Sequence, residues 1–442
     1  MRAVWDHAGM KKTYRPYQPD QPLLLPASLQ DYLPEGDLAY FVPEVVAGLD
    51  LSAIFAPYER EMRGYPPYHP QMLVTLLLYA YARGVYSSRR IAFACSHDLG
   101  FMVVTARQTP DFRTIAAFRT RHLDALGALF GQVLQLAAEA GLVKLGHVAL
   151  DGTKVKANAS RHKAMSYGRM EERASALEAE VAGRLAQAEE TDAAEDAVLG
   201  DRQGDELPAH LATKEKRAVA IRKAKAALEE RAREKAKAEG SDPEQAVVAA
   251  KTQYNFTDPE SRIMKTPDGF QQCYNGQAAV DADSMVIVGQ ELTAAPTDVQ
   301  RQAPMRETVR EETGRYPEQV SADAGYASEA NLQHCADLGV DAYVALGRLK
   351  HDAPPEQVAE ARPSGNRWPA RARMREKLGT AAGRAAYANR KQTVEPVFGH
   401  IKACRGFRQF LLRGLTATQG EWALLCTVHN LLRIYRCGAA IT

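Results

Sequence analysis

HVALDGTKVKANAS, residues 147–160, is where the chain changes texture from helix to strand. His147 to Leu150 reads as a short apolar strand, and Asp151, with Gly152 beside it, ends it. An acid at such a point leaves the core at a sheet edge, where a ligand can approach. The pattern recurs in QVSAD, residues 319–323, which ends on Asp323 with Gly325 two residues further on. If these strands are neighbours in one sheet, the two carboxylates meet at its edge, where they either repel or share a cation. Hard oxygen ligands select Mg²⁺ or Mn²⁺ and leave coordination positions for phosphate oxygens and water. Asp281 and Asp283 need no such account, because the hairpin turn DADS explains them.

Upstream of this point the sequence is helical. Pro70 opens PQMLVTLLLYAYARG, which stops at Gly84 as at a C-terminal glycine cap. A short helix follows, capped by Ser87 or Ser88, and Thr114 is the expected cap of TIAAFRTRHLDALGALFGQVLQLAAEAG. Ile115 and Phe118 are expected to face inward, with Arg113, Arg119 and Arg121 around them. Arginines near a helix start suit DNA binding, and the same helices suit a dimerising bundle equally well. Downstream, residues 161–239 are rich in Ala, Glu, Lys and Arg. Two helical stretches flank the breaker DRQGDELP, which reads as an antiparallel charged hairpin against the alternative of disorder. Strand texture returns with a β-hairpin over 270–294, then strand, helix and strand over 319–346. The whole is a mixed α/β pattern with the charged hairpin interrupting one domain.

The 442 residues are 45% hydrophobic and 25% charged, with a net charge of +2, the composition of a soluble globular protein of two or three units. The basic start has no apolar stretch after it, and MLVTLLLYAYA is too short to span a bilayer. Six scattered cysteines form no C-x-x-C pair. These features indicate a cytosolic protein with buried thiols and no zinc site.

Charge is concentrated locally. From Ala345 to Leu415 there are fifteen Lys and Arg against five Asp and Glu, a surface suited to phosphate. Within it, RKQTVEPVFGHIKACRGFRQFLLRG holds a single acid, Glu395, which is either a salt-bridge partner of Lys391 or a metal ligand. At about 100° per residue, Lys391, Glu395 and Lys402 share one helical line beside an apolar stripe of Val394, Phe398 and Ile401. Pro396 suits a first helical turn, so the helix is expected to start near Thr393. The local alternatives for the other two acids are a turn residue for Asp151 and a helix N-cap for Asp323.

ALDGT, SADAGYAS and YANRKQTVEPVFGHIKACRGFRQFLLRGL resemble the three blocks of bacterial insertion-sequence DDE transposases, closest to the IS1182 group within the IS5 and IS4-like families. YHPQMLVTLLLYAYARGVYSSRRI, TPDFRTIAAFRTRH, YNFTDPESRIMK and YNGQAAVD are similar to further parts of those proteins. The resemblance implies an RNase H-like mixed sheet with flanking helices over residues 146–437. An all-α N-terminal domain over 1–145 precedes it and a helical hairpin over 161–250 interrupts it. It also implies that Asp151, Asp323 and Glu395 hold two divalent metals, Mg²⁺ or Mn²⁺. Tyr387, Arg390, Glu395 and Lys402 resemble the Y-x2-R-x3-E-x6-K signature, with four residues instead of three between Arg390 and Glu395. Lys402, Arg390, Lys391, Arg405, Arg408, Tyr387, Arg119 and Arg121 are the expected DNA contacts. The implied function is cleavage of element ends and joining to target DNA by a cytoplasmic, nucleoid-associated homodimer. Two alternatives are an RNase H-like nuclease that never joins strands and a non-catalytic DNA-binding descendant of a transposase.

Overall fold

The first strand is longer than its sequence announces. A computed structural model describes residues 28, 31–60, 66–159, 164–176, 209–238, 240–347 and 368–438. In it β1 (His147–Lys156) runs through Asp151 instead of stopping there. The reason is that β5 pairs with β1 along nearly its whole length, while the other side is held at both ends. On one side β5 (Gly269–Asp281) pairs with it antiparallel from Val148↔Asp281 to Lys156↔Cys273. On the other, β7 (Gln319–Ala322) runs parallel to its first half. Beyond β7, the basic run takes over: Phe410 N–H donates to the Lys156 carbonyl at 2.9 Å and Lys156 N–H to the Arg408 carbonyl at 3.3 Å. With its backbone groups satisfied, the chain has no cause to turn at Asp151.

The other side of β5 is shared by β4 (Arg262–Thr266) and β6 (Ile287–Thr293), and β8 (Asp341–Val344) continues the sheet parallel to β7. The order is therefore β6-β5-β1-β7-β8, with β4 on the β6 side. The expected hairpin joins β5 to β6. Asp281 turns it, accepting the Asp283 and Ser284 N–H groups, and also ties down the entry to β1 by accepting those of Lys144 and Leu145. A separate two-stranded ribbon pairs β2 (Ala164–Ser166) with β3 (Gln253–Asn255).

Among the described residues seven helices precede the sheet: α1 (Leu38–Ala47), α2 (Ser52–Glu59), α3 (Pro70–Ala82), α4 (Ser88–His97), α5 (Leu99–Val104), α6 (Phe112–Arg121) and α7 (Leu123–Glu139). As expected, α3 ends at Gly84, whose φ of +71° lets Val85 N–H reach back to the Ala80 carbonyl. The long helix expected from Thr114 is instead two, broken at His122. Its cap is Asp111, which accepts the Arg113 N–H and leaves Thr114 inside the first turn. Later come α8 (Ala209–Ala238), α9 (Gln302–Thr313), α10 (Glu329–Asp337), α11 (Pro369–Gly379), α12 (Ala381–Gly399) and α13 (Leu415–Cys437).

Helix α13 is buried on nearly every side, as a core helix apolar around its circumference should be. It packs on β6, α3 and α7, so one apolar core runs from the early helices through α13 to the sheet. β5 passes beneath Trp422 only because Gly276 is a glycine; an added Cβ would lie 2.8 Å from the indole. Residues 167–176 are helical and share with α8 a small second core of Met170, Ala174, Ile221, Ala224 and Leu228. The ion pair Lys225–Glu171 (3.1 Å) joins the two arms of the expected hairpin, whose DRQGDELP connection lies outside the described residues.

The expectation that a helix starts near Thr393 is also corrected. Helix α12 starts at Ala381, capped by Thr380, runs through Pro396 and widens into a π-turn over His400–Cys404. The widened turn breaks the 100° phase, so Lys402 is not in line with Glu395, although Val394, Phe398 and Ile401 are buried as a stripe. Four of the six cysteines are buried, while Cys404 and Cys437 are exposed. Among the described residues no single helix is long and apolar enough to cross a membrane.

Candidate active site

Parallel pairing of β1 and β7 decides the site. Leu150 lies opposite Ala322, so the next residues, Asp151 and Asp323, arrive side by side at one level of the sheet. Asp323 ends β7 by capping a single turn, its Oδ1 accepting the Gly325 N–H at 2.8 Å. Asp151 is held differently. Its Oδ1 accepts the Gly152 N–H at 2.8 Å, and its Oδ2 accepts a hydrogen bond from Arg390 Nη1 at 2.9 Å. Burial pushes the Asp151 carboxyl up to about 6; Asp323 nearby adds to the rise, and Arg390 opposes it.

Arg390 reaches this point from α12, buried between sheet and helix, with the Tyr387 ring 6.0 Å from its guanidinium. Asp151, Asp323, Arg390 and Tyr387 are thus brought together. Glu395 is not part of this cluster. It lies five positions after Arg390, roughly 140° around the helix, so when Arg390 faces Asp151 the glutamate faces solvent. It is exposed and makes no hydrogen bond or ion pair among the described residues, with Lys391 or any other cation. No group of three His, Cys, Asp or Glu side chains among the described residues is arranged to hold a metal ion. The donor chemistry nonetheless fits one: hard carboxylate oxygens on adjacent strands, one of them already balanced by a cation.

Sequence reasoning missed the opposite face of β1. There Asp298, in the loop between β6 and α9, accepts hydrogen bonds from Asn275 Nδ2 (2.5 Å) and Gln277 Nε2 (2.7 Å). Lys154 lies 3.6 Å from the same oxygen, and Tyr326 donates its hydroxyl to Gln277 Oε1. Gly152 leaves room for this network; an added Cβ would come within 2.8 Å of Asp298 Oδ1. Burial lowers the Lys154 ammonium, while Asp298, Asp151 and Asp323 all act to raise it. The spacing of Asn275 and Gln277, two apart on β5 and opposite Lys154 and Gly152, is a signal that could have found part of this face. Asp298 carries no periodic signal.

The expected DNA contacts divide into two groups. Lys391, Arg408 and Arg121 are exposed. Arg119 is buried, donating to the Tyr81 hydroxyl, the Tyr86 carbonyl and Ser88 Oγ, and Arg405 is buried beside Leu425. Lys402 turns inward from the π-turn and donates to the Lys154 carbonyl at 2.6 Å, where burial lowers its amine to about 8. Arg119 and Lys402 brace the protein from within, while Arg405 keeps two buried N–H groups without a partner.

A mixed sheet presenting paired aspartates next to a buried arginine and a strongly basic segment has the framework of a DDE-type nucleic-acid enzyme. The chain belongs to the insertion-sequence DDE transposases. The family model for the transposase DDE domain matches residues 245–431, and that for a transposase domain of the DUF772 type matches residues 27–121, a pairing typical of IS1182-type transposases. The first match takes in Asp323, Glu395 and Lys402; Asp151 lies before it, beyond the charged hairpin. No curated protein and no solved structure matches the chain.

Proposed function

We propose that this transposase cleaves the ends of its insertion sequence and joins them to target DNA at the sheet edge formed by Asp151 and Asp323, with Glu395 as the third acid. The observation that carries this reading is the β1–β7 register, which sets the two aspartates side by side. We read the catalytic unit as RNase H-like. Three antiparallel strands followed by two parallel to the first, in the order β6-β5-β1-β7-β8, support that reading. The family generally uses divalent ions; Asp151 and Asp323 would hold Mg²⁺ or Mn²⁺ at this edge, and Glu395, which faces solvent in this structure, would join them only once α12 turns it toward the sheet. When bound, such ions activate the attacking oxygen and stabilise the leaving one.

The chain's own groups do the rest. Arg390 pairs with Asp151 and, buried as it is, holds α12 against β1. Lys391 and Arg408, exposed on the basic run, hold backbone phosphates, which gives affinity and little sequence information. End recognition falls to the helices before residue 145, with Arg121 exposed among them, and joining two ends calls for a homodimer. We place the protein in the bacterial cytoplasm at the nucleoid.

The test is Mg²⁺-dependent cleavage and strand transfer on DNA carrying the element's own ends, comparing wild type with Glu395→Gln. The wild type should cut and join, and the variant should bind DNA and do neither. Cutting without joining would make the protein a nuclease. A fully active variant would remove Glu395 from the site.

A further inference from the structure

A group of cations away from the acids has no counter-ion. Arg405 is 6% exposed, and its Nε and Nη1 have no hydrogen-bond partner. Arg433, on α13, leaves its Nε buried and unpartnered as well. His400, on the π-turn, contacts Arg436 Nη2 through Nε2 at 3.1 Å. An arginine can only donate, so Nε2 accepts and the proton sits on Nδ1, which is buried with no acceptor. His429, 5.7 Å from the His400 ring, uses Nε2–H on the Met285 carbonyl and stays neutral, its basicity lowered to about 3 by burial and by Arg405. Around His400 the acting charges are all positive, Arg405, Arg436 and Arg433, and together with burial they lower it to about 4. None of the three arginines makes an ion pair among the described residues.

Four N–H donors buried without acceptors, on groups that repel one another, are costly unless something anionic completes them. Nor can Arg405 simply withdraw. Its carbonyl accepts the Tyr86 hydroxyl at 3.0 Å and lies against Gly84, where an added Cβ would come within 2.7 Å of it. The rim is open, because Arg436 is exposed and Arg433 half-buried.

We propose that His400, Arg405, Arg433 and Arg436 form a phosphate-binding site that takes a backbone phosphate of the DNA. Planar guanidinium donors with an imidazole N–H suit the tetrahedral oxygens of a phosphate. The DNA assignment rests on the transposase reading above and on position. His400 lies five residues after Glu395 in the same basic run, so a phosphate held here fixes the strand relative to the third acid. Exposed Lys391 and Arg408 in that run extend the same charge.

The test uses the full chain in EDTA, with Arg433→Gln plus Arg436→Gln as the site variant and Arg310→Gln, an exposed arginine on α9, as the charge control. Inorganic phosphate, against chloride at equal ionic strength, should raise the melting temperature of wild type and control but not of the site variant. Without phosphate the site variant should melt no lower than wild type, since it loses unpaired like charges. On DNA, removing one phosphate contact should reduce the slope of log affinity against log salt by about 0.9. Between 50 and 200 mM salt the variant then loses about 3.5-fold less affinity than wild type. No phosphate-specific shift in wild type, or the same shift in the site variant, overturns the site. A shift that vanishes in the variant with an unchanged DNA slope overturns the DNA assignment and leaves a free-phosphate site. A protein that keeps the phosphate shift but binds no DNA overturns the transposase reading and the DNA assignment together, while the cradle itself stands.

Discussion

The raised Asp151 carboxyl implies that this acid is held at a cost to stability, which Asp151→Asn should release in the metal-free protein. Folded, the group titrates at about 6; unfolded, it returns to its ordinary value of 3.8. The folded state therefore grips the proton more tightly, and stability is lost as pH rises from the unfolded value through the folded one. At about 1.36 kcal/mol per unit, the penalty is roughly 1 kcal/mol at pH 4.5 and approaches 3 kcal/mol by pH 7.5. The asparagine keeps the shape and can still accept from Arg390, but it does not titrate. Its advantage over wild type should thus widen by about 2 kcal/mol across that window. If a chain of this length melts as one unit, that is about 2 °C. The assay is the melting temperature of both proteins in EDTA from pH 4.5 to 7.5. Adding Mg²⁺ at pH 7.5 should then raise wild type and leave the variant unchanged. A difference that stays flat with pH, or an asparagine variant that loses ground above pH 6, would refute the argument that burial and Asp323 outweigh Arg390.

Three further substitutions probe the framework. Gly276→Ala sets a methyl group against Trp422 and should cost about 1–3 kcal/mol by overpacking, read in urea unfolding. Glu421→Ala removes the buried carboxylate that accepts the Leu411 and Leu412 N–H groups and the Tyr81 hydroxyl. At about 1–3 kcal/mol per orphaned donor, it should lower the melting temperature and open the 411–414 segment to protease. Asp298→Asn turns a pure acceptor into a group that must also donate toward Asn275, Gln277 and Lys154. Cleavage should fall with DNA affinity retained, and an unchanged cleavage rate would show that the second face of β1 does not position the first.

Much of the site was legible because two rules act locally. The short apolar strands and their alternation announce β5, β6, β7 and β8, and an acid followed by glycine marks Asp323 as a strand end. Where the reading failed, the deciding contact was distant in sequence. β1 continues past Asp151 because β5 pairs with it there, more than 100 positions away, and residues 408–410 anchor its end at Lys156; no pattern within HVALDGTKVK contains those facts. Arg119 and Arg405 look like surface cations in sequence, yet their partners, on α3, α4 and α13, take them inside. Asp298 comes from a loop without periodicity and is recognisable only once Asn275 and Gln277 point at it. Pro396 misled for a different reason: a proline costs a helix one N–H, which suggests a first turn, yet α12 carries it in its interior.

The three acids differ in how completely local structure accounts for them, and that difference argues for their roles. Asp323 has an ordinary duty as a cap, but the duty uses one oxygen. Asp151, lying inside a strand, turns nothing; it ties Arg390, and with it α12, to β1, at the cost that burial raises the energy of its ionised form. Glu395 is the reverse case, an exposed carboxylate in a run of cations that pairs with none of them among the described residues. A salt-bridge partner would have found Lys391, one turn away. Left free of Lys391, Glu395 can serve as the proposed third acid only if α12 turns it toward Asp151, from which it now points away.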